Sequence, residues 1–304
     1  MRSLHSRTHT KEVEACIMWK LFITGPFSLV SRLSLLIVSV VFLCFALPAW
    51  AQESPSITPL SIGEVLRFDS KALDETRILN VYLPQGYRDS IDKSYPVIYI
   101  LDGSMDEDFL HLAGLVQFGS FPWINMVPQS IVVGIANVDR KRDFTYPSKD
   151  PRDSKDFPTS GGSQAFIPFL TEEVQPLIEK TYRAKSTKTI IGQSLGGLLA
   201  SEILLTSPAS FDHYIIVSPS LWWDEERLLR VEPANLEEVQ SVYIGVGAEG
   251  PIMERVAKEL YQKMQPLLLD ACHFQYFPEQ NHGDALHLAV YDAFEYMYGR
   301  KEKK

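Results

Sequence analysis

The sequence is poor in cysteine, and its three cysteines are unevenly placed. Cys16 and Cys44 lie in the first 51 residues, which leaves Cys272 alone in residues 52–304. A single thiol cannot form an intramolecular disulfide, so no disulfide framework stabilises that part of the chain. Cysteine and histidine also do not cluster at the spacing of a zinc site. Because Cys272 lies in a predicted strand, we expect a buried, unreactive thiol.

No apolar run reaches the roughly 20 residues that a membrane-spanning helix needs. The longest run, residues 33–47, is followed by Ala49-Trp50-Ala51, which has the small-x-small form of a signal-peptidase site. We therefore predict that residues 1–51 are a cleaved signal peptide, with Met1 or Met18 as its start, and that the protein is periplasmic or secreted. An uncleaved membrane anchor is the alternative.

Basic residues are fewer than acidic ones, 29 against 38, which gives a formal net charge of −9. Removing residues 1–51 takes away five basic and two acidic residues, so the net charge becomes −12. Such acidity disfavours nucleic acids and anionic membrane surfaces as partners. Residues 52–304 contain no internal repeat and no low-complexity tract, and their length suits a single domain with a large core.

Strand and helix patterns alternate along residues 52–304, which is typical of an α/β fold with a mostly parallel central sheet and helices on both faces. The predicted strands are residues 62–68, 77–83, 97–101, 130–136, 187–191, 213–217, 241–246 and 271–277. The predicted helices are residues 109–117, 163–179, 195–205, 252–268 and 284–298. We expect the first two strands to form an antiparallel pair at the sheet edge.

One long irregular segment, residues 137–162, is rich in proline, glycine and charged residues. A loop of this length inside a compact domain is usually functional or mobile. Because it follows a predicted sheet strand, we expect it to act as a substrate-recognition loop beside the active site and to be a poor core element. A solvated surface excursion is the alternative.

The run Gly192-Gln193-Ser194-Leu195-Gly196 follows a β-branched strand and precedes a helix-forming stretch. This G-x-S-x-G context is typical of a nucleophile elbow, a sharp turn that holds a serine hydroxyl above the sheet. The glycines let the strand and the helix pass closely. Ser194 is therefore the candidate nucleophile, and the N–H of Leu195 is a candidate oxyanion donor. A structural serine in a glycine-rich turn is the alternative.

A serine nucleophile needs a base, and four histidines follow Ser194 in the sequence. His213 and His273 fall in predicted strands, so we expect them to be structural. His282 lies in a polar turn between the last strand and the last helix, where an imidazole can reach the sheet edge. It is the candidate base, and His287 is the alternative.

The acid of a triad should follow the strand that precedes the last helix pair. Glu249 follows the strand at residues 241–246 and is flanked by glycines, which makes it the candidate acid. Glu254 is the competitor, although it could equally complement a helix dipole. A serine–histidine pair without a committed acid is the third possibility. A second oxyanion donor is expected from the turn that begins at Asp102-Gly103.

Several segments, in order along residues 58–300, resemble the esterase D-like family of α/β-hydrolases, which includes siderophore esterases. They are residues 96–103, residues 131–137 with Arg140, Arg142, Asp143 and Phe144, and residues 190–197, 218–224 and 281–283. The resemblance implies an α/β-hydrolase fold, Ser194 as nucleophile, His282 as base and an acid near Glu249. It also implies oxyanion donors at the N–H groups of Ser104 and Leu195, and neither a metal nor an organic cofactor. Gln193 departs from the pattern, because many members have histidine there.

Candidate substrate-binding residues are aromatic or basic. Trp222 and Trp223 could form an aromatic wall for a phenolic group, together with Phe121 and Trp123, although core packing is the alternative. Arg140 and Arg142 could attract an anionic ligand.

The sequence thus predicts an exported serine esterase that acts on a small-molecule ester. The ester is of siderophore type, or else phenolic or carbohydrate-linked. The alternatives are an acyltransferase that uses the same site and a non-catalytic binding protein with the same fold.

Overall fold

The computed structural model describes residues 33–34, 36–40, 55–89 and 91–299. Residues 33–34 and 36–40 are helical, and the predicted cleavage site after Ala51 lies outside the described residues. Leu60–Lys304 form one compact unit, which contains every strand and helix discussed below. Among the described residues, no helix combines the length and apolar character needed to cross a membrane.

An eight-stranded sheet forms the centre of this unit, in the order β1-β2-β4-β3-β5-β6-β7-β8. The strands are β1 (Glu64–Ser70), β2 (Glu75–Tyr82), β3 (Tyr95–Ile100), β4 (Ile131–Ile135), β5 (Ala184–Gln193), β6 (His213–Val217), β7 (Ser241–Gly247) and β8 (Cys272–Phe277). Strand β2 is antiparallel to β1 and to β4, and the remaining pairs are parallel. The predicted antiparallel pair at the edge is confirmed. The parallel strands place their carboxyl ends at one edge of the sheet.

Helices cover both faces of the sheet. They are α1 (Phe109–Gly119), α2 (Arg140–Asp143), α3 (Pro151–Asp156), α4 (Ser163–Pro168), α5 (Gln175–Thr181), α6 (Leu195–Thr206), α7 (Trp223–Glu226), α8 (Pro251–Leu268) and α9 (Ala285–Tyr298). Buried side chains of α1 and α9 pack on one face, and those of α4 to α6 and α8 pack on the other. The strand order and the two helical layers confirm the α/β-hydrolase fold expected from the sequence.

The helix predicted at residues 163–179 is interrupted. A π-helical stretch, Phe169–Val174, lies between α4 and α5 and is flanked by Pro168 and Pro176. Neither proline can donate the backbone hydrogen bond that a continuous α-helix requires. The apolar periodicity was therefore sufficient to predict a helical region but not its hydrogen-bond pattern.

A buried ion pair holds the segment of residues 137–162 to the sheet. Arg77 of β2 is completely buried, and its Nη1 lies 2.8 Å from Asp143 and 2.8 Å from Glu75. Its guanidinium carbon also lies 5.3 Å and 5.1 Å from the ring centroids of Phe166 and Phe169. Breaking such a buried pair by removing one partner leaves an uncompensated charge, which is strongly destabilising.

The expectation that this segment is a poor core element is wrong. Phe144 and Tyr146 are buried in the hydrophobic core, and the segment forms the short helices α2 and α3. Asp139 and Asp150 cap these helices by accepting hydrogen bonds from backbone N–H groups. The prolines and charges that suggested a solvated loop thus serve as helix starts, caps and ion-pair partners.

The buried side chains of Cys272 and Glu202 have raised pKa values. The Cys272 thiol is buried as expected, and burial raises its pKa to about 12. Glu202 of α6 is only 9% exposed, and burial raises the pKa of its carboxyl to about 7. Within the described part of the chain, Glu202 Oε2 has no hydrogen-bond partner, which agrees with a carboxyl that is protonated when the protein is folded.

We predict that Glu202 makes the free energy of unfolding depend on pH. Its pKa is higher in the folded state than in the unfolded state. The contribution of Glu202 to the free energy of unfolding is therefore fully present below about pH 4.5, where the carboxyl is protonated in both states. That contribution is lost as the pH rises through 7. Chemical denaturation of Glu202→Gln should show that the variant gains about 2 to 3 kcal/mol relative to wild type between pH 4.5 and pH 8. The exposed Glu238→Gln is the control, and a difference that stays constant with pH would contradict the assignment.

Candidate active site

Ser194 occupies a strained turn between β5 and α6. Its backbone is left-handed, with φ 59° and ψ −119°, an arrangement that costs a non-glycine residue on the order of 1–3 kcal/mol. The turn is forced by close backbone packing, since a Cβ on Gly192 would lie 2.4 Å from the carbonyl oxygen of Gly196. Only glycine fits at position 192, and the geometry is that of the elbow expected from the sequence.

Two neighbouring strands are also followed by a non-glycine residue with a positive φ. Asp102, which follows β3, has φ 55°, and Ser218, which follows β6, has φ 45°. Strands β3, β5 and β6 are adjacent in the sheet, so three left-handed residues surround one point on its carboxyl edge. Hydrogen bonds from Ser194 N to Val217 O (3.1 Å) and from Ser218 N to Gly245 O (2.8 Å) hold two of them. Strain of this kind concentrates at functional sites.

His282 and Glu249 form a hydrogen-bonded pair. His282 Nδ1 lies 2.5 Å from Glu249 Oε2, and the Glu249 side chain is only 2% exposed. The other carboxylate oxygen, Oε1, accepts hydrogen bonds from the Ser218 hydroxyl and from the Gly247 N–H. Burial alone would raise the pKa of Glu249, but the hydrogen bonds from His282, Ser218 and Gly247 outweigh it and hold the pKa below its ordinary value.

Glu254, the competing acid, has a different role in the fold. Its Oε1 accepts hydrogen bonds from the N–H groups of Glu249 (3.1 Å) and Gly250 (3.0 Å) at the start of α8. An acidic side chain in this place satisfies free N–H groups and complements the helix dipole. The fold therefore brings Glu249 to the imidazole of His282 and keeps Glu254 at the helix terminus.

The other histidines lie in different surroundings. The ring of His287 packs edge-on against His111, with 5.2 Å between the ring centroids. His213 Nδ1 lies 2.7 Å from Ser241 Oγ, and the ring of His273 stacks between tyrosine rings. His213 and His273 thus pack within the fold, as the strand positions suggested.

Ser194 and the His282–Glu249 pair line one cavity of about 540 Å³. Its lining residues are Ser194, Ser220, Trp222, Ala248, Glu249, Met253, Asn281 and His282. The His282 side chain is 48% exposed, so the cavity is open to solvent at the imidazole. The elements that meet here are the ends of β5, β6 and β7 and the turn before α9, which the parallel sheet brings to one edge.

Three residues that the sequence analysis did not select support this arrangement. Gln193 Nε2 donates a hydrogen bond to the carbonyl oxygen of His282 at 2.6 Å, which ties the histidine turn to the elbow. Ser218 donates to Glu249, and Ser220 Oγ lies 3.4 Å from Ser194 Oγ. Gln193 ends β5, and Ser218 and Ser220 lie within three residues after β6, which is the signal that could have identified them.

The candidate oxyanion donors differ in their availability. Leu195 is the first residue of α6, where backbone N–H groups have no intrahelical acceptor. The N–H of Ser104 donates to Glu107 Oε2 at 3.2 Å, within the same turn. An oxyanion at Ser194 would therefore have to replace Glu107 as the acceptor for Ser104.

Neither candidate arginine lines the cavity. The guanidinium of Arg140 binds Asp102, at 2.7 Å and 2.8 Å. That of Arg142 binds Glu75 and Asp143, at 2.6 Å and 2.7 Å. Both positive charges are matched within the protein, which differs from the expectation that they face a substrate.

The two tryptophans separate into one cavity residue and one core residue. Trp222 lines the cavity, and its ring centroid lies 6.1 Å from that of Phe157 in residues 137–162. Trp223 is completely buried and donates from Nε1 to the carbonyl oxygen of Tyr146 at 2.9 Å. The prediction that Trp223 forms part of an aromatic wall for the substrate is therefore wrong. Phe121 and Trp123 stack on each other and line a separate groove beside α1.

Solved structures with the same fold include a serine hydrolase and a second bacterial protein. An "IroE-like serine hydrolase" from Shewanella oneidensis is 28% identical, with a TM-score of 0.67, over 78% of this chain and 80% of that one. The "BES protein" from Bacillus cereus is 27% identical, with a TM-score of 0.68, over 80% of this chain and 97% of that one.

The "Ferri-bacillibactin esterase BesA" of Bacillus subtilis is similar in sequence, being 34% identical over 170 residues. The matched region is 52% of this chain and spans 58% of the length of that relative. The family model described as "Putative esterase" matches residues 70–280, which include Ser194, Glu249 and all elements from β2 to β8. This chain belongs to that esterase family.

Proposed function

We propose that this protein is an exported serine esterase that hydrolyses siderophore-type esters with Ser194, His282 and Glu249. The observation that carries the proposal is the His282–Glu249 hydrogen bond of 2.5 Å at the cavity that Ser194 also lines. A nucleophile on a strained elbow, a base and a buried acid that orients the base are the components of a catalytic triad.

The first half of the reaction acylates Ser194. Because His282 Nδ1 donates to the Glu249 carboxylate, the Nε2 nitrogen is left to accept a proton. Ser194 Oγ attacks the ester carbonyl carbon, and its proton passes to His282 Nε2. The N–H of Leu195, and that of Ser104 once it leaves Glu107, stabilise the negative charge on the carbonyl oxygen. The alcohol then departs with the proton held by His282, and the acyl group remains on Ser194.

In the second half of the reaction, water hydrolyses the bond between the acyl group and Ser194. It attacks the acyl carbon while His282 accepts its proton, and the carboxylic acid leaves as Ser194 Oγ regains a proton. The lowered pKa of Glu249 supports this role, because a carboxylate that stays ionised stabilises the imidazolium formed in each half. Neither a metal nor an organic cofactor enters any step.

A siderophore-type substrate is supported by the relatives and by the shape of the cavity. BesA, which shares 34% identity over the matched region, is a ferri-bacillibactin esterase by name. The exposed His282 and the wide cavity mouth suit a bulky ester, and Trp222 offers an aromatic face. The signal-peptide-like segment at residues 33–51 supports a periplasmic or secreted location.

The substrate proposal predicts a preference that product analysis can measure. We expect purified protein to release a carboxylic acid from ferri-bacillibactin with kcat/KM at least about tenfold above that for methyl ferulate or acetylated xylan. Liquid chromatography with mass spectrometry identifies the products, with and without an added alcohol as acceptor. A higher kcat/KM for the plant-type esters would contradict the siderophore class. A new ester formed with the alcohol would indicate acyl transfer.

Ser194→Ala should lower kcat on p-nitrophenyl acetate by about 10³-fold or more, because the nucleophile is removed. His282→Ala should have a similar effect, and the double variant should be no worse, since the two residues act as a unit. Fluorophosphonate labelling followed by peptide mapping should modify Ser194 in wild type and nothing in the serine variant. Near-normal turnover by Ser194→Ala would exclude the serine mechanism, and His287→Ala serves as the histidine control.

Glu249→Gln should lower kcat less than loss of the serine or the histidine, by about 10- to 10³-fold, because the acid orients the imidazole and stabilises its charged form. Glu254→Gln should leave kcat within about threefold and mainly lower the melting temperature, since it removes the negative charge that complements the dipole at the start of α8. Equal and mild effects of the two substitutions on kcat would instead favour a serine–histidine pair without an acid.

A further inference from the structure

Arg140 and Asp102 form a bidentate ion pair directly beside the nucleophile elbow. Arg140 Nε lies 2.7 Å from Asp102 Oδ1, and Nη2 lies 2.8 Å from Oδ2. Asp102 Oδ2 also lies 3.4 Å from the position that a Cβ on Gly196 would occupy, which places the carboxylate against the first turn of α6. The Asp102 side chain is 11% exposed, so the pair is shielded from screening by solvent on one side.

The turn of residues 102–104, here named the oxyanion loop, is tightly fitted to the sheet. Asn80 Nδ2 donates to Gly103 O at 2.8 Å, and Gly103 N donates to Ile135 O at 2.9 Å. A Cβ on Gly103 would lie 2.3 Å from the Cα of Gly134, so the backbones touch. Gly103 is therefore fixed by β2 and β4, while its neighbour Asp102 must hold the unfavourable φ of 55° by other means.

The first residues of the segment 137–162 provide those means. Asn137 Nδ2 donates to Asp102 Oδ1 at 2.6 Å, and Asn137 N donates to Ser104 Oγ at 3.1 Å. Together with Arg140, these contacts hold both ends of the oxyanion loop. Burial alone would lower the pKa of Arg140, but the hydrogen bond to Asp102 and the negative charges of Asp102, Glu107 and Asp108 together raise it, so the guanidinium stays charged. Its Nε and Nη2 groups are thus committed to Asp102.

We infer that Arg140 is a positioning residue that, through Asp102, keeps the oxyanion loop in the conformation that supports catalysis at Ser194. The inference deepens the proposed function and rests on it. It replaces the expectation that Arg140 attracts an anionic substrate. A lysine cannot reproduce the planar two-point contact with the carboxylate, so the arrangement specifically requires arginine.

This role has a kinetic signature that substrate attraction lacks. A positioning residue acts on the transition state of every ester, so its loss lowers kcat even for a small neutral substrate that cannot reach Arg140. Loss of a substrate-attracting residue raises KM for anionic substrates alone. Arg142 is a close control, because it lies two residues away, is similarly exposed and is also ion-paired, but to Glu75 and Asp143.

The experiment compares Arg140→Gln, Asp102→Asn, their double variant and Arg142→Gln on p-nitrophenyl acetate. Active sites are counted by fluorophosphonate titration. We expect Arg140→Gln to lower kcat about 10- to 100-fold with KM within about twofold, which is the size of effect produced by a misplaced catalytic group. The double variant should be no worse than the single ones by more than about threefold, because both remove one interaction. Arg142→Gln should keep kcat within about twofold.

Hydrogen exchange provides a second measurement that does not depend on turnover. In Arg140→Gln, the amides of residues 102–105 should exchange at least about tenfold faster than in wild type, whereas Arg142→Gln should leave them unchanged. Arg140→Lys keeps the charge and tests the same point with less risk to folding. Its kcat and its exchange rates should lie between those of wild type and those of Arg140→Gln.

Two results would overturn the inference while leaving the proposed function intact. One is unchanged kcat on p-nitrophenyl acetate with a raised KM for an anionic ester, which would make Arg140 a substrate contact. The other is unchanged exchange in residues 102–105, which would show that the ion pair does not hold the loop. Failure of the proposed function itself is recognised separately, as hydrolysis by wild type that survives Ser194→Ala, and it would overturn the catalytic part of the inference as well.

Discussion

The close approach of Gly192 to Gly196 is the constraint on which the site depends. A Cβ on Gly192 would lie 2.4 Å from the carbonyl oxygen of Gly196, so only glycine allows β5 and α6 to approach this closely around Ser194, whose φ is 59°. The turn exposes the serine hydroxyl at the sheet's carboxyl edge and aligns the start of α6 with it. Asp102 after β3 and Ser218 after β6 also have positive φ, so three adjacent strands lead into backbone of this unfavourable kind.

Glu249 and Glu254 illustrate how burial and hydrogen bonding act together on a carboxyl group. Glu249 is almost completely buried, which by itself would favour the neutral form. Three donors, from Ser218, Gly247 and His282, compensate for the lost solvation and keep the carboxylate charged. Glu254 lies five residues further on, where the same kind of side chain serves the terminus of a helix. The two glutamates thus have different roles because different N–H and O–H groups surround their carboxylates.

Residues 137–162 connect the core to the edge of the sheet that carries Ser194. At one point Asp143 pairs with the buried Arg77, and at another Arg140 pairs with Asp102 beside the elbow. The segment therefore has one ion pair to β2 and another to the turn after β3. Its aromatic residue Phe157 also approaches Trp222 at the cavity, so the same segment contributes to the cavity wall.

The amino-acid sequence by itself determined the alternation of strands and helices, the elbow at Ser194 and the turn that carries His282. These features depend on local periodicity and glycine spacing, which are visible within a few residues. Only the tertiary structure decided that Trp223 is core, that Glu249 and not Glu254 meets the imidazole, and that the arginines are paired. Except for the pair of Arg142 with its neighbour Asp143, those outcomes rest on contacts between residues 33 to 77 positions apart, such as His282 with Glu249 and Trp223 with Tyr146. Partners so distant in the chain are selected by the packing of the sheet and its helices, and no local pattern records that packing.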